Sequence, residues 1–447
     1  MTRRIDSLRL LTNNRLDIAF KLAYLELKNK NPEFSKKIYK EHIKIITSGL
    51  FKEKDSTKKG FDNYVLEFDS IFNSIKQKNF NKEISTIPIC KNHTILNGSH
   101  RVSSSIFLNN EVEVTMEDKK AHNYDYSFFK IRGIDPTILN YSVKTYLKYS
   151  NNSYLAIIWP SANKSFDYLK FFDKIIFEKK ITFSPVGALN FIIKVYESFT
   201  WLGKKENNFS GAYNKMSKCF KNSLQAHAIF FQSDSFEDVL KIKDKLRLKF
   251  GIGKSSIHIT DNSSETLEIS KYILNDNSLK FLNNSSPFHN KHLMKSLENL
   301  EKKLGKKNIN IDEVLLMSDS TLASYDILKN YELNYIYYNQ LSDKISKNID
   351  KEMKKEIFNP TNYYYFKGFK FITLESILNS NLIEIKDEYL KTIKNKIKSS
   401  SSQKSPFEFI SKQKYLLIGY LIPITKRLGI YNFAKLIFKK LKSKNIL

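Results

Sequence analysis

The sequence predicts a mixed α+β, in part α/β, fold divided over several domains. Three observations carry that reading. The chain has 447 residues, and at about 100–200 residues per domain this gives two to four domains. Apolar residues make up 41% of it and charged residues 27%, the usage of a globular chain with a sizeable core, which excludes wholesale disorder and fibrous repeats. The hydrophobic period also changes along the chain. It is helical over the N-terminal part and alternates between strand and helix from residue 153 onward.

Residues 5–49 read as helices, with Leu8, Leu11, Ile18, Leu22 and Leu25 near helical spacing, then Ile38, His42 and Ile45. Residues 61–82 form another amphipathic helix, with Phe61, Val65, Phe68, Ile71, Phe72 and Ile75 on one side. The period then shortens. Thr86–Cys90 and Thr94–Leu96, joined by Lys-Asn-His, read as a hairpin. Asn97-Gly98 breaks the strand, and Ser99 is placed to cap a helix running to about Leu108.

From Tyr154 a buried strand, YLAIIWP, is followed by the helix FDYLKFFDKI, the strand KKITFSP and the helix ALNFIIKVYESFTWLG. Residues 226–232 are a strand, with Asp234 or Ser235 capping the helix after it. Residues 255–260 are the next strand and SSETLEISKYIL the next helix, an alternation that argues an α/β layer. A charged helix spans 288–305. Strands follow at 312–317 and in NYIYY, and a hairpin or strand at 366–377 feeds a helix. The serine run 399–406 reads as a linker.

The sharpest local pattern is ILNGSHRVSSS at 95–105. A strand ends, Asn97-Gly98 turns, and a helix opens whose first turn carries His100 and Arg101. The unbonded N–H groups of a helix start and the positive end of its dipole favour an anion. Arg101 can bond phosphate oxygens in pairs, and His100 can donate a bond or shuttle a proton. The same pattern also suits a plain strand–turn–helix joint with two solvated basic residues.

This hairpin strand, N-G-S-H-R turn and small-residue helix resemble the ParB/sulfiredoxin fold, which includes partition nucleotidases, sulfiredoxins and free serine kinases. The resemblance covers about residues 61–125. It implies a phosphate cradle of Asn97, Gly98, Ser99, His100 and Arg101 that holds ATP or ADP, with Mg²⁺ assisting and His100 as a catalytic group. It places a glutamate base upstream of the turn, and Glu67 is the residue preferred there over Asp69, Asp118 and Asp125. Asn97 stands where the kinases carry Asp. Cys90 lies seven residues before Asn97, on the preceding strand, so it reads as a buried small hydrophobe and not as a sulfiredoxin cysteine.

A second candidate site involves His258 and Asp261, at the end of the strand IHIT, with Glu265 arranged as a capping box. Lys215 and Lys218 beside Tyr213 could form a polar wall. The phosphate-loop reading of GIGKSS (251–256) fails, because Leu248 occupies the first glycine position and the helix precedes the strand. Residues 311–340 faintly resemble a nucleotidyltransferase core of the polymerase-β type. That resemblance singles out Ser318, Asp319 and Glu332, with Asn334 in place of a second acid. The order of parts resembles proteins found with bacterial surface-polysaccharide genes. The expected organisation is an N-terminal helical segment (1–60), a ParB/sulfiredoxin-like domain (61–150), a central α/β domain (151–300), a degenerate nucleotidyltransferase-like module (301–390) and a basic linker and tail (391–447). The expected function is phosphotransfer to a sugar or polyol intermediate of surface-polysaccharide synthesis. The alternatives are a ParB-like nucleic-acid-binding protein or nuclease, and an inactive nucleotide-binding scaffold.

The formal net charge of +28 calls for an anionic partner: a phosphorylated small molecule or glycan intermediate, nucleic acid, or an anionic membrane face. Only eight of the 74 basic residues are Arg, which disfavours base reading in DNA. Two cysteines, Cys90 and Cys219, suit a reducing compartment, and the expected location is cytoplasmic, with peripheral contact to the inner face of the membrane. Residues 391–447 carry 14 Lys+Arg against one acid, Glu408. Ile430, Phe433, Ala434, Ile437, Phe438 and Leu441 recur at helical spacing there among lysines, as in a helix lying in a membrane interface. The full chain is therefore expected to co-sediment with anionic vesicles and a chain ending at Ser402 to remain in the supernatant. Equal behaviour of the two would rule the tail out as an anchor.

Overall fold

A computed structural model describes residues 2–52, 60–78, 86–163, 165–338, 354–379, 386–401 and 428. It is a mixed α+β chain with three small sheets. Contacts divide it into two compact units, one containing Met1–Tyr146 and the other Leu147–Gln403.

In the first unit, β1 (Thr2–Asp6), β2 (Ile87–Ile89) and β3 (Glu111–Met116) form a sheet in the order β1-β3-β2. β1 runs antiparallel to β3, and β2 runs parallel to it. Residues 5 and 6 thus belong to a strand and not to the expected helix. Only Ile5 of β1 is buried, so the strand has no alternating apolar signal of its own and its pairing with β3 decides it. The 86–96 hairpin reduces to β2 and one antiparallel bridge, Ile89 to Ile95. The helices are α1 (Asp17–Leu27), α2 (Pro32–Ile46), α3 (Phe61–Lys78), α4 (Ser99–Phe107), α5 (Tyr126–Ile131) and α6 (Pro136–Tyr149).

α1 lies at the centre, with every residue buried except Glu26. It packs on α2 and α4. The serines at 103–105 allow close approach, and the Ser103 hydroxyl reaches the carbonyls of Ser99 (2.7 Å) and Ile18 (3.4 Å). Tyr64, Phe68 and Phe72 of α3 recur every four residues and join Tyr24 and Tyr39 in one core cluster. Three buried charges sit inside this unit. The Arg15 guanidinium meets the Asp17 carboxylate at 2.7 and 2.8 Å, Lys21 Nζ lies 3.3 Å from the same carboxylate, and Arg15 Nη1 also donates to the Ile95 carbonyl. His42 is fully buried between Phe20 and Phe129, and neither ring nitrogen has a hydrogen-bond partner.

In the second unit, β4 (Ser153–Ile158), β5 (Lys174–Thr182), β6 (Gln225–Gln232) and β7 (Ile257–Ile259) form a sheet in the order β5-β6-β4-β7. Every neighbouring pair is antiparallel. This corrects the expected α/β layer: helices do separate the strands, but the connections return the chain in opposite directions. The predicted helix at 166–175 is only a 3-10 turn, Tyr168–Phe171, because β5 begins at Lys174 and its long register with β6 claims those residues. α7 (Pro185–Val195) also stops earlier than its pattern suggested. α8 (Ser210–Cys219), α9 (Phe236–Phe250) and α10 (Ser263–Ile273) follow. Ser235 and Asn262 are the caps of α9 and α10, and Gly251 ends α9 with φ +71°, as a C-terminal glycine does. On one face of the sheet, Ala156, Ile158, Ile229, Phe231, Ile257 and Ile259 pack on Val239, Leu246 and Phe250 of α9.

The third sheet has the order β10-β11-β8-β9, built from β8 (Val314–Leu316), β9 (Tyr335–Tyr337), β10 (Tyr363–Phe366) and β11 (Phe369–Ile372). β8 and β11 are parallel and the other pairs antiparallel. Beside it run α11 (Asp276–Asn284), α12 (Lys291–Lys306) and α13 (Ser318–Ser324). The charged helix buries Leu293, Leu297, Leu300 and Leu304. The last of the described helices, Asp387–Ser401, continues into the serine run expected to be a linker. The apolar and basic stretch of 415–447 lies outside the described residues, Leu428 excepted. Among the described residues no helix is long and apolar enough to cross a membrane.

The buried charges fix the sign of the pH dependence. Burial would raise the Asp17 pKa, but Arg15 and Lys21 outweigh it and hold the carboxyl well below the usual range. Burial, with Lys21 adding to it and His100 and Arg15 contributing, pushes His42 well below the ordinary imidazole value, while Asp17 opposes. Both folded-state values lie below the unfolded ones. Their stabilisation is therefore complete above about pH 6.5 for His42 and about pH 3.9 for Asp17, and is lost as pH falls. Urea unfolding should show His42→Phe losing about 2 kcal/mol less than the wild type between pH 7.5 and 5. Asp17→Asn should cost about 3–5 kcal/mol at neutral pH, because two buried cations lose their countercharge. Identical pH slopes for wild type and His42→Phe would contradict this account.

Candidate functional site

The N-G-S-H-R turn leads from the hairpin into α4. Gly98, and not Ser99, is the residue before the helix; it has φ +87° and ψ +24°. A left-handed residue there aims the first-turn amides of Ser99, His100 and Arg101 away from the helix body. The first intrahelical bond runs from Val102 N–H to the Gly98 carbonyl at 3.0 Å. Asn97 is exposed, and its side-chain oxygen accepts from Gly98 N–H at 2.6 Å. The space under Gly98 is filled: a Cβ there would lie 2.7 Å from Arg101 Nη2 and 2.9 Å from Ile87 Cδ1.

Arg101 is not the surface residue that the pattern suggested. It is half-buried, its Nη1 donates to the Thr86 carbonyl at 3.1 Å, and burial lowers its pKa. His100 is held from two sides. Its Nε2 lies 2.8 Å from the Tyr39 hydroxyl, and its ring centroid is 4.7 Å from that of Phe68. The Tyr39 hydroxyl also reaches the Tyr64 carbonyl at 3.4 Å. Tyr39 and Phe68 position the imidazole, yet in the sequence both are ordinary members of apolar helix stripes.

Asp69 accepts from the Tyr24 hydroxyl and Lys28, Asp118 pairs with Lys91, and Asp125 caps α5. Glu67 is exposed on α3, next to Phe68, whose ring meets His100.

Elsewhere, His258 is buried on β7, with its Nε2 3.5 Å from Glu265 Oε1, an ion-pair distance without a hydrogen bond. Burial lowers the His258 pKa, while Glu265 opposes that shift. Glu265 Oε2 accepts from Asp261 N–H at 2.7 Å, and Asp261 pairs with Lys243 at 3.4 Å. The capping box is present but shifted by one residue, since Glu265 serves Asp261 and not the cap, Asn262.

Ser318 opens α13, and Ser320 Oγ bonds both backbone groups of Asn334, at 2.9 and 2.8 Å. Asp319 and Glu332 are exposed, and Glu332-Leu333-Asn334 precedes β9 instead of lying on it. Among the described residues no group of three or more His, Cys, Asp or Glu side chains is placed to hold a metal ion.

Gly98→Ala tests the turn itself. A Cβ at this positive φ meets the Arg101 guanidinium and Ile87, so the variant should lose about 1–3 kcal/mol in urea unfolding. An unchanged midpoint would mean that the turn does not need this conformation. Comparison of the chain with protein-family models, with curated proteins and with solved structures returned no match.

Proposed function

We propose that the chain is a phosphotransferase. In this reading the α4 turn holds the phosphates of ATP or ADP, and a hydroxyl of a sugar or polyol intermediate of surface-glycan assembly accepts the phosphoryl group. The observation that carries it is the left-handed Gly98 turn, which presents the first amides of a nine-residue helix together with the braced His100 side chain. Backbone amides and a dipole end favour phosphate oxygens over neutral ligands. Arg101 contributes positive charge beneath the turn from its bond to Thr86. Glu67 acts as the base: its carboxylate takes the hydroxyl proton, the freed oxygen bonds to the terminal phosphorus, and the bond to the nucleotide's bridging oxygen breaks. His100 donates a hydrogen bond to the charge that develops on the phosphoryl oxygens. Mg²⁺ assists by neutralising charge on the nucleotide's phosphates.

Nucleic-acid binding through the same turn is a second reading, favoured by the +28 charge. The two differ in salt dependence, which is steep where several backbone phosphates are neutralised and shallow for one small ligand.

Titration calorimetry of the full chain with ATP and Mg²⁺ is expected to show saturable binding. Arg101→Gln should weaken it about tenfold or more, the value of a charge-assisted bond of roughly 1.5–3 kcal/mol. Because Arg101 also bonds Thr86, the melting temperature must be measured alongside, and His100→Ala provides an independent variant. Failure of either nucleotide to bind, or tight duplex binding that disappears at raised salt, would overturn the kinase reading.

A further inference from the structure

The second unit contains a polar cluster centred on Tyr196, just after α7. Its origin lies in strand alternation. Ile257 and Ile259 of β7 face α9, so His258 between them faces the opposite side of the sheet, opposite Ile157 in register. β7 is an edge strand, and that face is where the Tyr196 ring meets His258 edge-on at 5.1 Å. His258 is 9% exposed, and its Nε2 faces Glu265 Oε1 at 3.5 Å.

Cations gather around the same tyrosine. Lys215 Nζ lies 5.2 Å from the Tyr196 ring and donates to the Lys254 carbonyl at 2.7 Å. Arg247, whose Nη1 lies 3.9 Å from the exposed Asp244 carboxylate and whose buried Nε has no hydrogen-bond partner, is near enough for its charge to act on both Tyr196 and Lys215. Burial lowers the Lys215 pKa, and the charges of Arg247 and Lys254 lower it further, although Cys219 opposes them. Neighbouring like charges repel, and a bound anion would relieve that repulsion.

Beside the cations stands a ledge of exposed aromatic rings. Phe199 and Trp201 are each 46% exposed, with centroids 6.0 and 5.3 Å from Tyr196. The ledge is fixed in place. A Cβ on Gly211 would lie 1.9 Å from the Trp201 carbonyl oxygen, so α8 packs directly on that turn. Asn208 and Phe209, which lead into α8, both hold φ +51°, a conformation kept only where the surroundings impose it.

We propose that this cluster binds a phosphorylated monosaccharide. The apolar face of the sugar ring stacks on Trp201 and Phe199, and Lys215 and Arg247 hold the phosphate. Aromatic rings cover C–H faces at little entropic cost, and paired cations select phosphate. The site is separate from the α4 turn and stands whether or not that turn binds a nucleotide.

The test uses the full chain and glucose-6-phosphate as probe, with glucose and inorganic phosphate as separate arms. Both tryptophans of the chain, Trp159 and Trp201, adjoin Tyr196, so intrinsic fluorescence reports on this site. A saturable fluorescence change with the sugar phosphate is expected, with glucose and inorganic phosphate each at least about tenfold weaker. In calorimetry, Lys215→Ala and Trp201→Ala should each weaken binding about tenfold without lowering the melting temperature, since neither side chain is in the core. Arg101→Gln, in the other unit, should bind the probe like the wild type. No saturable change, equal affinity for inorganic phosphate alone, unaltered binding by both cluster variants, or an equal loss in Arg101→Gln would each overturn the assignment.

Discussion

The Asp17 carboxylate is the countercharge for two buried cations, and much of the first unit depends on it. Arg15 meets it through two guanidinium nitrogens and uses a third to hold the Ile95 carbonyl. Ile95 is two residues before Asn97, so the same guanidinium that anchors the start of α1 also anchors the strand end that feeds the α4 turn. Lys21, one helical turn on, is held by the same carboxylate and by the Asp17 carbonyl. A buried ion pair adds little stability over an apolar alternative, but breaking one is costly. Its contribution here is positional: it fixes the direction in which the chain enters both α1 and the turn. His42, buried close to these charges and without a hydrogen-bond partner, adds an acid-sensitive group to the same region.

Close packing of α1 on α4 is the second constraint. α4 buries Val102, the serines at 103–105 and Ile106, and α1 buries nearly its whole circumference. Small side chains let the two backbones approach, and the Ser103 hydroxyl is satisfied by carbonyls within this contact. The outer side of the turn is then set by α2 and α3, whose Tyr39 and Phe68 hold the His100 ring. The candidate anion site is thus a helix start fixed from three directions, and its conformation requires a glycine at 98.

In the second unit, asparagine and serine side chains join the layers. Asn275 caps α11 and also donates to the carbonyls of Pro360 and Tyr363, while the Ser278 hydroxyl accepts from Tyr365 N–H. Lys370, 4% exposed on β11, is satisfied by the Asp312 and Ile357 carbonyls. The bonds of Asn275 and Ser278 tie α11 to the third sheet, and Lys370 is buried on carbonyls where Lys21, Lys194 and Lys271 meet carboxylates. The Ser320–Asn334 bonds belong to the same pattern.

The sequence by itself determined those elements whose signal is local. The stripes of α3, α9 and α12 match their apolar spacing, Gly251 ends α9, and the Asn97–Arg101 turn lies between a strand and a helix. These follow from periodicity, capping and backbone freedom, each contained within a few neighbouring residues. Tertiary structure decided what depends on distant partners. β1 is a strand because β3 lies beside it, β5 displaces a helix because β6 pairs with it, and the central sheet is antiparallel because of how its connections return. It also decided which polar groups meet. Arg15 and Arg247 carry no motif, and Tyr39, Phe68 and Tyr196 read as core residues. The placement of Arg15 against Ile95, of Tyr39 and Phe68 against His100, and of Tyr196 against His258 joins residues far apart in the chain, and no local spacing encodes such a meeting.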